Sequence, residues 1–297
     1  MQADSEEKIQ FVERLGYEHP YTYYKARCFG DINGLLIQFS VPKGSQEKIK
    51  KLFDIIEKKK LIDGYTILPF EGEESIYTTP NVDNWNPIIN QWQFNIDEWF
   101  TTEVTKKLMP KPTSDSGAAK KWLTQSHVAI LQHLVKNARR KNTEIMADLK
   151  KDGIEFTPQT FSRYIKKVKE ECINGYRVYL TPKIFDLYST VLIWGSSKRK
   201  VIEDLESRML QLSFPFSSTF KTKNEQLYWY LHLPPSHLSN VLFNLRNKLT
   251  DMHYHYVDFN RATSYLPWPP TFDNEKQDWK TDSEFMIDNV LKGLKVR

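Results

Sequence analysis

From Thr157 to Lys169 the chain sets hydrogen-bond donors at helical spacing: Gln159, Thr160, Ser162, Arg163, Lys166 and Lys167. Amides, hydroxyls and a guanidinium in this arrangement can pair with base edges in a major groove, and lysines further along suit phosphate oxygens. Phe161, Ile165 and Val168 recur on the opposite side, so the same helix has an apolar face to anchor it. Thr157 is a favourable N-cap, and Pro158 falls at the first helical position, where its missing N–H costs nothing. The helix expected over 157–171 is a candidate reader of double-stranded DNA. Its contacting side would carry Thr157, Gln159, Thr160, Ser162, Arg163, Lys166 and Lys167, joined by Arg140 and Lys141 from the preceding basic stretch.

Two further helices must position it. The first places Val128, Leu131, Leu134 and Val135 on one side and ends near Arg139. The second, over 143–150 with Asn142 as its cap, turns Ile145, Met146 and Leu149 inward, and Gly153 supplies a positive φ in the turn over 151–156. Three helices in this order predict a helix-turn-helix over 121–180. Charge agrees with that placement. Between Lys136 and Lys169 there are ten Lys or Arg against four Asp or Glu, although the 297-residue chain carries only +5. Cations gathered in one segment are what phosphate binding with counterion release requires.

A hydrophobic fraction of 40% with 27% charged residues excludes a disordered chain. The N-terminal residues lack a signal-peptide pattern, and no run approaches the ~18 apolar residues of a membrane span, so a cytoplasmic location without membrane contact is expected. Cys28 and Cys172 stand far apart and support neither a disulfide framework nor a thiolate zinc site. No catalytic triad, phosphate loop or dinucleotide pattern occurs, so no catalytic residue, metal or cofactor is assigned.

On either side of the helices lies a duplicated unit. In the first copy, two strands over 21–30 and 35–41 meet around the hairpin signal Asn33-Gly34. A helix capped by Ser45 follows, ended by Asp63-Gly64, and then a strand over 65–70. In the second copy, strands over 187–194 and 214–222 enclose a helix over 198–212. Segment 227–259 then repeats strand, helix capped by Ser236, and strand. The second copy reads β-α-β-β-α-β, the ferredoxin-like order. The first opens instead with a helix over 6–15 and shows no preceding strand, which leaves open whether a further helix-turn-helix precedes it. Each copy is followed by a tail rich in tryptophan, with Trp85, Trp92 and Trp99 in one and Trp268 and Trp279 in the other, expected to clamp its own unit or its partner. The fold class expected is α+β, a winged-helix or helix-turn-helix domain between two ferredoxin-like α/β-sandwich units. The parts are 1–100, a linker over 101–120, 121–180, 181–262 and a tail over 263–297.

The segment FTPQTFSRYIKKVKEECINGYRVYL, 156–180, resembles the recognition helix and following wing or hinge of the leucine-responsive/AsnC transcriptional regulators, in an archaeal-like form. It has their Ser/Thr-Pro start, basic middle, acidic pair and Ile-x-Gly-Tyr before a strand. The resemblance implies a ferredoxin-like (RAM) domain for dimerisation and small-molecule sensing. It places base and phosphate contacts on Gln159, Thr160, Arg163 and Lys166. The turn over 150–156 is longer than the family's, and its glycine-rich ligand loop is not recognisable. Two such units in one chain could pair with each other or make a homodimer. Two rival readings exist. Sirohaem decarboxylases look similar in architecture, with His232, His253 and His255 as candidates on strands that could be neighbours. An RNA or single-strand binder could instead stack bases on Tyr228, Trp229, Tyr230, Tyr254 and Tyr256.

Overall fold

The computed structural model describes residues 1–31, 33–70, 75–104, 117–178, 185 and 187–296. In chain order the main elements are α1 (Glu6–Glu18), β1 (Thr22–Gly30), β2 (Gly34–Phe39), α2 (Gln46–Lys58), β3 (Ile76–Thr78), the small hairpin β4 (Trp85–Asn86) and β5 (Gln91–Trp92), and α3 (Ile96–Thr101). After the turn α4 (Gly117–Lys120) come α5 (Gln125–Lys136), α6 (Asn142–Lys151) and α7 (Pro158–Glu171). Then follow β6 (Ser189–Ser196), α8 (Arg199–Gln211), β7 (Ser218–Lys223), β8 (Gln226–Leu233), α9 (Pro235–Arg246), β9 (Asp251–Val257), β10 (Thr263–Ser264), the second small hairpin β11 (Phe272–Asp273) and β12 (Asp278–Trp279), and α10 (Asn289–Gly293). Most of the expected linker, 105–116, lies outside the described residues.

Strands β9, β6, β8 and β7 lie side by side in that order, all antiparallel, with α8 and α9 against one face. Expected boundaries shift at two places in this half: the strand read from Phe214 begins at Ser218, and α9 is capped by Pro234, with Ser236 already inside its first turn. In the first half, Gln2 bridges both Gly34 and Gly64, just as Gly195 of β6 lies between Leu227 and Met252. The opening-strand position, expected to be empty, is therefore occupied by residues 1–3. The approach is close: a Cβ on Gly34 would sit 2.1 Å from the Met1 carbonyl oxygen. Helix α2 stops at Lys58, with Lys60 at φ 58°, before the Asp63-Gly64 read as its end. Residues 65–70 form no strand; Leu68 and Phe70 pack against the sheet without a ladder.

Both faces of β8 are buried, which explains its near-continuous apolar run. Trp229 and Leu231 face α8 and α9, whereas Tyr228 and Tyr230 face the first half. There the Tyr24 and Tyr230 hydroxyls meet at 2.7 Å, and Gln38 Nε2 donates to Tyr228 Oη at 2.6 Å. Strand β1 also pairs antiparallel with β9, Cys28 opposite Val257 and Gly30 opposite His255. The two halves thus pair inside one chain.

The tails are exchanged. Trp92, Ile96, Trp99 and Phe100 of the first tail fill the apolar core under α8 and α9. Met286, Ile287, Val290 and Leu294 of the second fill the core under α1 and α2. Polar contacts fix each crossing. The buried Arg208 guanidinium donates to the Trp99 and Thr102 carbonyls at the end of α3, at 3.0 and 2.6 Å, and Tyr21 Oη donates to the Lys280 carbonyl at 2.8 Å. The hairpins match in detail. Asn86 and Asp273 each accept from the backbone N–H groups two and three residues on, and Asn90 and Gln277 have φ of 51° and 52°.

Candidate nucleic-acid interface

Helix α7 is built as its sequence dictates. Thr157 has extended backbone and its hydroxyl accepts from the Thr160 N–H at 3.2 Å, Pro158 opens the helix, and Phe161, Ile165 and Val168 are buried. The turn before it closes α6. Gly153 adopts φ 81°, and the Ile154 N–H reaches back to the Leu149 carbonyl at 2.8 Å, while Ile154 packs on the same apolar cluster. Two details differ from the expected pattern. Lys141, not Asn142, caps α6, and the inward face of α5 carries Val128, Ile130 and Leu134 while Val135 is 55% exposed. The face of α5 is rotated because its N-terminal half must also cover the second tail.

That docking was invisible in the sequence. Leu123 and Val128 pack on Phe272, with Trp122 and Trp279 around them. Gln125 donates from its backbone to Asn274 Oδ1 at 2.9 Å and from its side chain to the Phe272 carbonyl at 2.8 Å, and Lys120 pairs with Asp278 at 2.5 Å. Trp122 also holds α7: its Nε1 donates to Glu171 at 2.7 Å, and Lys167 Nζ lies 4.4 Å from its ring centroid. His127 stacks on Tyr164 at 4.0 Å and shares a 2.8 Å hydrogen bond with Thr124 Oγ1. Burial, helped by the nearby Lys167 and Arg163 charges, lowers the His127 pKa to about 4.

The residues expected to contact nucleic acid fall into two groups. Thr157, Gln159, Ser162, Arg163 and Lys166 are exposed on the side of α7 away from its buried face, as is Lys169; Lys141 is exposed at the head of α6. The other three are engaged internally. Arg140 pairs with Asp148 at 2.6 Å and meets His133 at 2.9 Å, and Lys167 lies over Trp122. Thr160 is half-buried, and its hydroxyl accepts from Thr157 at 3.0 Å. Together with Lys151, Arg140 holds the Asp148 carboxyl down at about 2. No wing hairpin follows α7 among the described residues: 173–178 carry no strand, and the Arg177 guanidinium sits 3.3 Å from the Tyr77 ring centroid.

The residues of the two rival readings are placed differently from expectation. His232 lies on β8 and His255 on β9, with β6 between them, so these strands are not neighbours. His232 bonds Thr190, His255 accepts from Trp194 Nε1 at 3.3 Å, and His253 stacks on Trp194 and reaches Asp31 and Asp251. No cluster of three metal-ligating side chains occurs among the described residues. For base stacking, Tyr228, Trp229 and Tyr230 are buried between layers, while Tyr256 is 45% exposed. No helix among the described residues is long and apolar enough to cross a membrane.

No protein-family model matches the sequence, and no curated protein matches it. Among solved structures, a transcriptional regulator of Neisseria meningitidis in complex with L-Met is similar at 19% identity and TM-score 0.37, over 48% of this chain and 96% of that one. AsnC of E. coli is similar at 18% and 0.36, over 49% and 98%, and LrpC of B. subtilis at 16% and 0.35, over 46% and 94%.

Proposed function

We propose that this chain is a sequence-specific DNA-binding transcriptional regulator of the leucine-responsive/AsnC type, with α7 entering the major groove. The observation that carries the reading is the division of α7. One face is anchored by Phe161, Ile165 and Val168, and the other exposes Gln159, Ser162, Arg163 and Lys166 from a well-capped N-terminus. An N-terminal helix end with a guanidinium and an amide on its open side suits base edges, and the flanking Lys141 and Lys169 suit phosphates.

In this reading, residues 1–100 and 181–262 are ferredoxin-like units that pair through their sheets within one chain, 121–180 is the reader, and 263–297 is the tail on which the reader rests. The protein works in the cytoplasm and is not an enzyme. A homodimer that places one such helix in each half-site would read a pseudo-palindromic operator. The test is selection of bound duplexes from random DNA by the full chain, followed by titration of the selected site. Arg163→Ala should weaken the selected duplex far more than random duplex, as loss of a base-reading residue does. Failure to enrich any sequence, or equal weakening on both duplexes, would remove α7 as the reader.

A further inference from the structure

Arg177 and Val178 cross to the segment after β3 and to the edge of the second sheet, where they close a cleft with Thr79, Leu187, Thr219 and His232. Its volume is about 150 Å³. That equals the liquid volume of roughly five waters, enough for a metabolite of a few carbons and too small for a nucleotide or peptide.

The walls define a chemistry. The Arg177 guanidinium is stacked on Tyr77, and no Asp or Glu among the described residues forms an ion pair with it. A planar fork of donors held by an aromatic ring is suited to a carboxylate. Hydroxyls from Thr79 and Thr219 add neutral donors, and Val178 and Leu187 add an apolar side. His232 is 9% exposed, with Nδ1 bonded to Thr190 Oγ1 at 2.8 Å. Burial keeps this ring neutral at neutral pH, its pKa lowered to about 4. No carboxylate lines the cleft among the described residues, and an ammonium group buried without one is costly.

We propose that this cleft binds a small monocarboxylate without an amino group, a 2-oxo acid of a few carbons, its carboxylate on Arg177 and its apolar end against Val178 and Leu187. The cleft joins the exit of α7 to the second unit. Given the reading of α7 as the DNA-contacting helix, on which this consequence rests, occupancy would fix the angle between reader and sheet.

Calorimetric titration of the full chain with sodium 2-oxobutyrate, L-2-aminobutyrate and inorganic phosphate tests the proposal. The oxo acid should bind at millimolar concentration or tighter, with the amino acid of the same skeleton and phosphate each at least about tenfold weaker. Arg177→Gln should lose at least about tenfold in oxo-acid affinity with an unchanged far-ultraviolet spectrum and melting temperature, and Arg177→Lys should recover part of it. No oxo-acid binding to the folded chain, equal or tighter binding of the amino acid or phosphate, or undiminished binding by folded Arg177→Gln would overturn it. The readout uses no DNA, so oxo-acid binding by a chain that enriches no duplex would sink the regulator reading and leave the cleft assigned.

Discussion

On the proposed reading of α7, removing cations singly should separate those that meet phosphate from those that hold the three-helix segment together. Lys141, Lys166 and Lys169 are exposed, and Lys166 makes a loose 3.9 Å pair with Glu170. Arg140 and Lys167 are instead turned onto Asp148 and Trp122. Each neutralised phosphate contributes about −0.9 to the slope of log affinity against log salt. Three such contacts give about −2.7, a loss of about 40-fold between roughly 50 and 200 mM salt. Lys166→Ala should bring the slope to about −1.8 and the loss to about 12-fold. Lys167→Ala and Arg140→Ala should leave the slope unchanged and lower the melting temperature, because their partners lie within the domain. Fluorescence anisotropy of a labelled duplex at graded salt reads the slopes. A slope unmoved by Lys166→Ala, or reduced by about one on Lys167→Ala, refutes this division of the basic surface.

Three further outcomes follow from the packing. Folding holds His127 at about 4 against an ordinary 6.5, so between these values the unfolded chain binds the extra proton. The stabilisation is complete above pH 6.5 and falls by up to about 3 kcal/mol as pH drops towards 4. Melts of wild type and His127→Phe across that range check it; a difference between them that does not vary with pH contradicts it. Met286→Ala should destabilise the first unit by about 2–5 kcal/mol, because this fully buried tail residue fills the core under α1 and α2. Hydrogen exchange should then quicken in α1 and α2 before α8 and α9, and the reverse order would contradict the tail exchange. Thr157→Ala should cost about 1 kcal/mol and Thr157→Gly only a few tenths, as for a hydroxyl N-cap, with chemical denaturation as the measurement.

Helix α7 was legible because its signals are local. Thr157-Pro158 caps and opens α7, the spacing of Phe161, Ile165 and Val168 selects its buried face, and Gly153 marks the turn; all act within one or two helical turns. The second unit was legible for the same reason. Where these signals weakened, the reading slipped. Residues 65–70 look like a strand, yet their side chains are held by packing on the sheet and no ladder forms. Val135 matches the helical period but lies outside, because α5 serves two surfaces.

By itself the sequence determined most of the longer helices and strands, and which side chains α7 can offer, since propensity, capping and periodicity depend on near neighbours. Only the tertiary structure decided where those pieces go. Apolar burial is non-directional, so Trp99 and Met286 could have covered either unit. Exchange is fixed by groups far away in the chain, such as Arg208 at the end of α3 and Tyr21 at Lys280. The same holds for the basic residues, which are alike in sequence: Lys166 stays open and Lys167 closes onto Trp122 because one residue along a helix is a turn of about 100°.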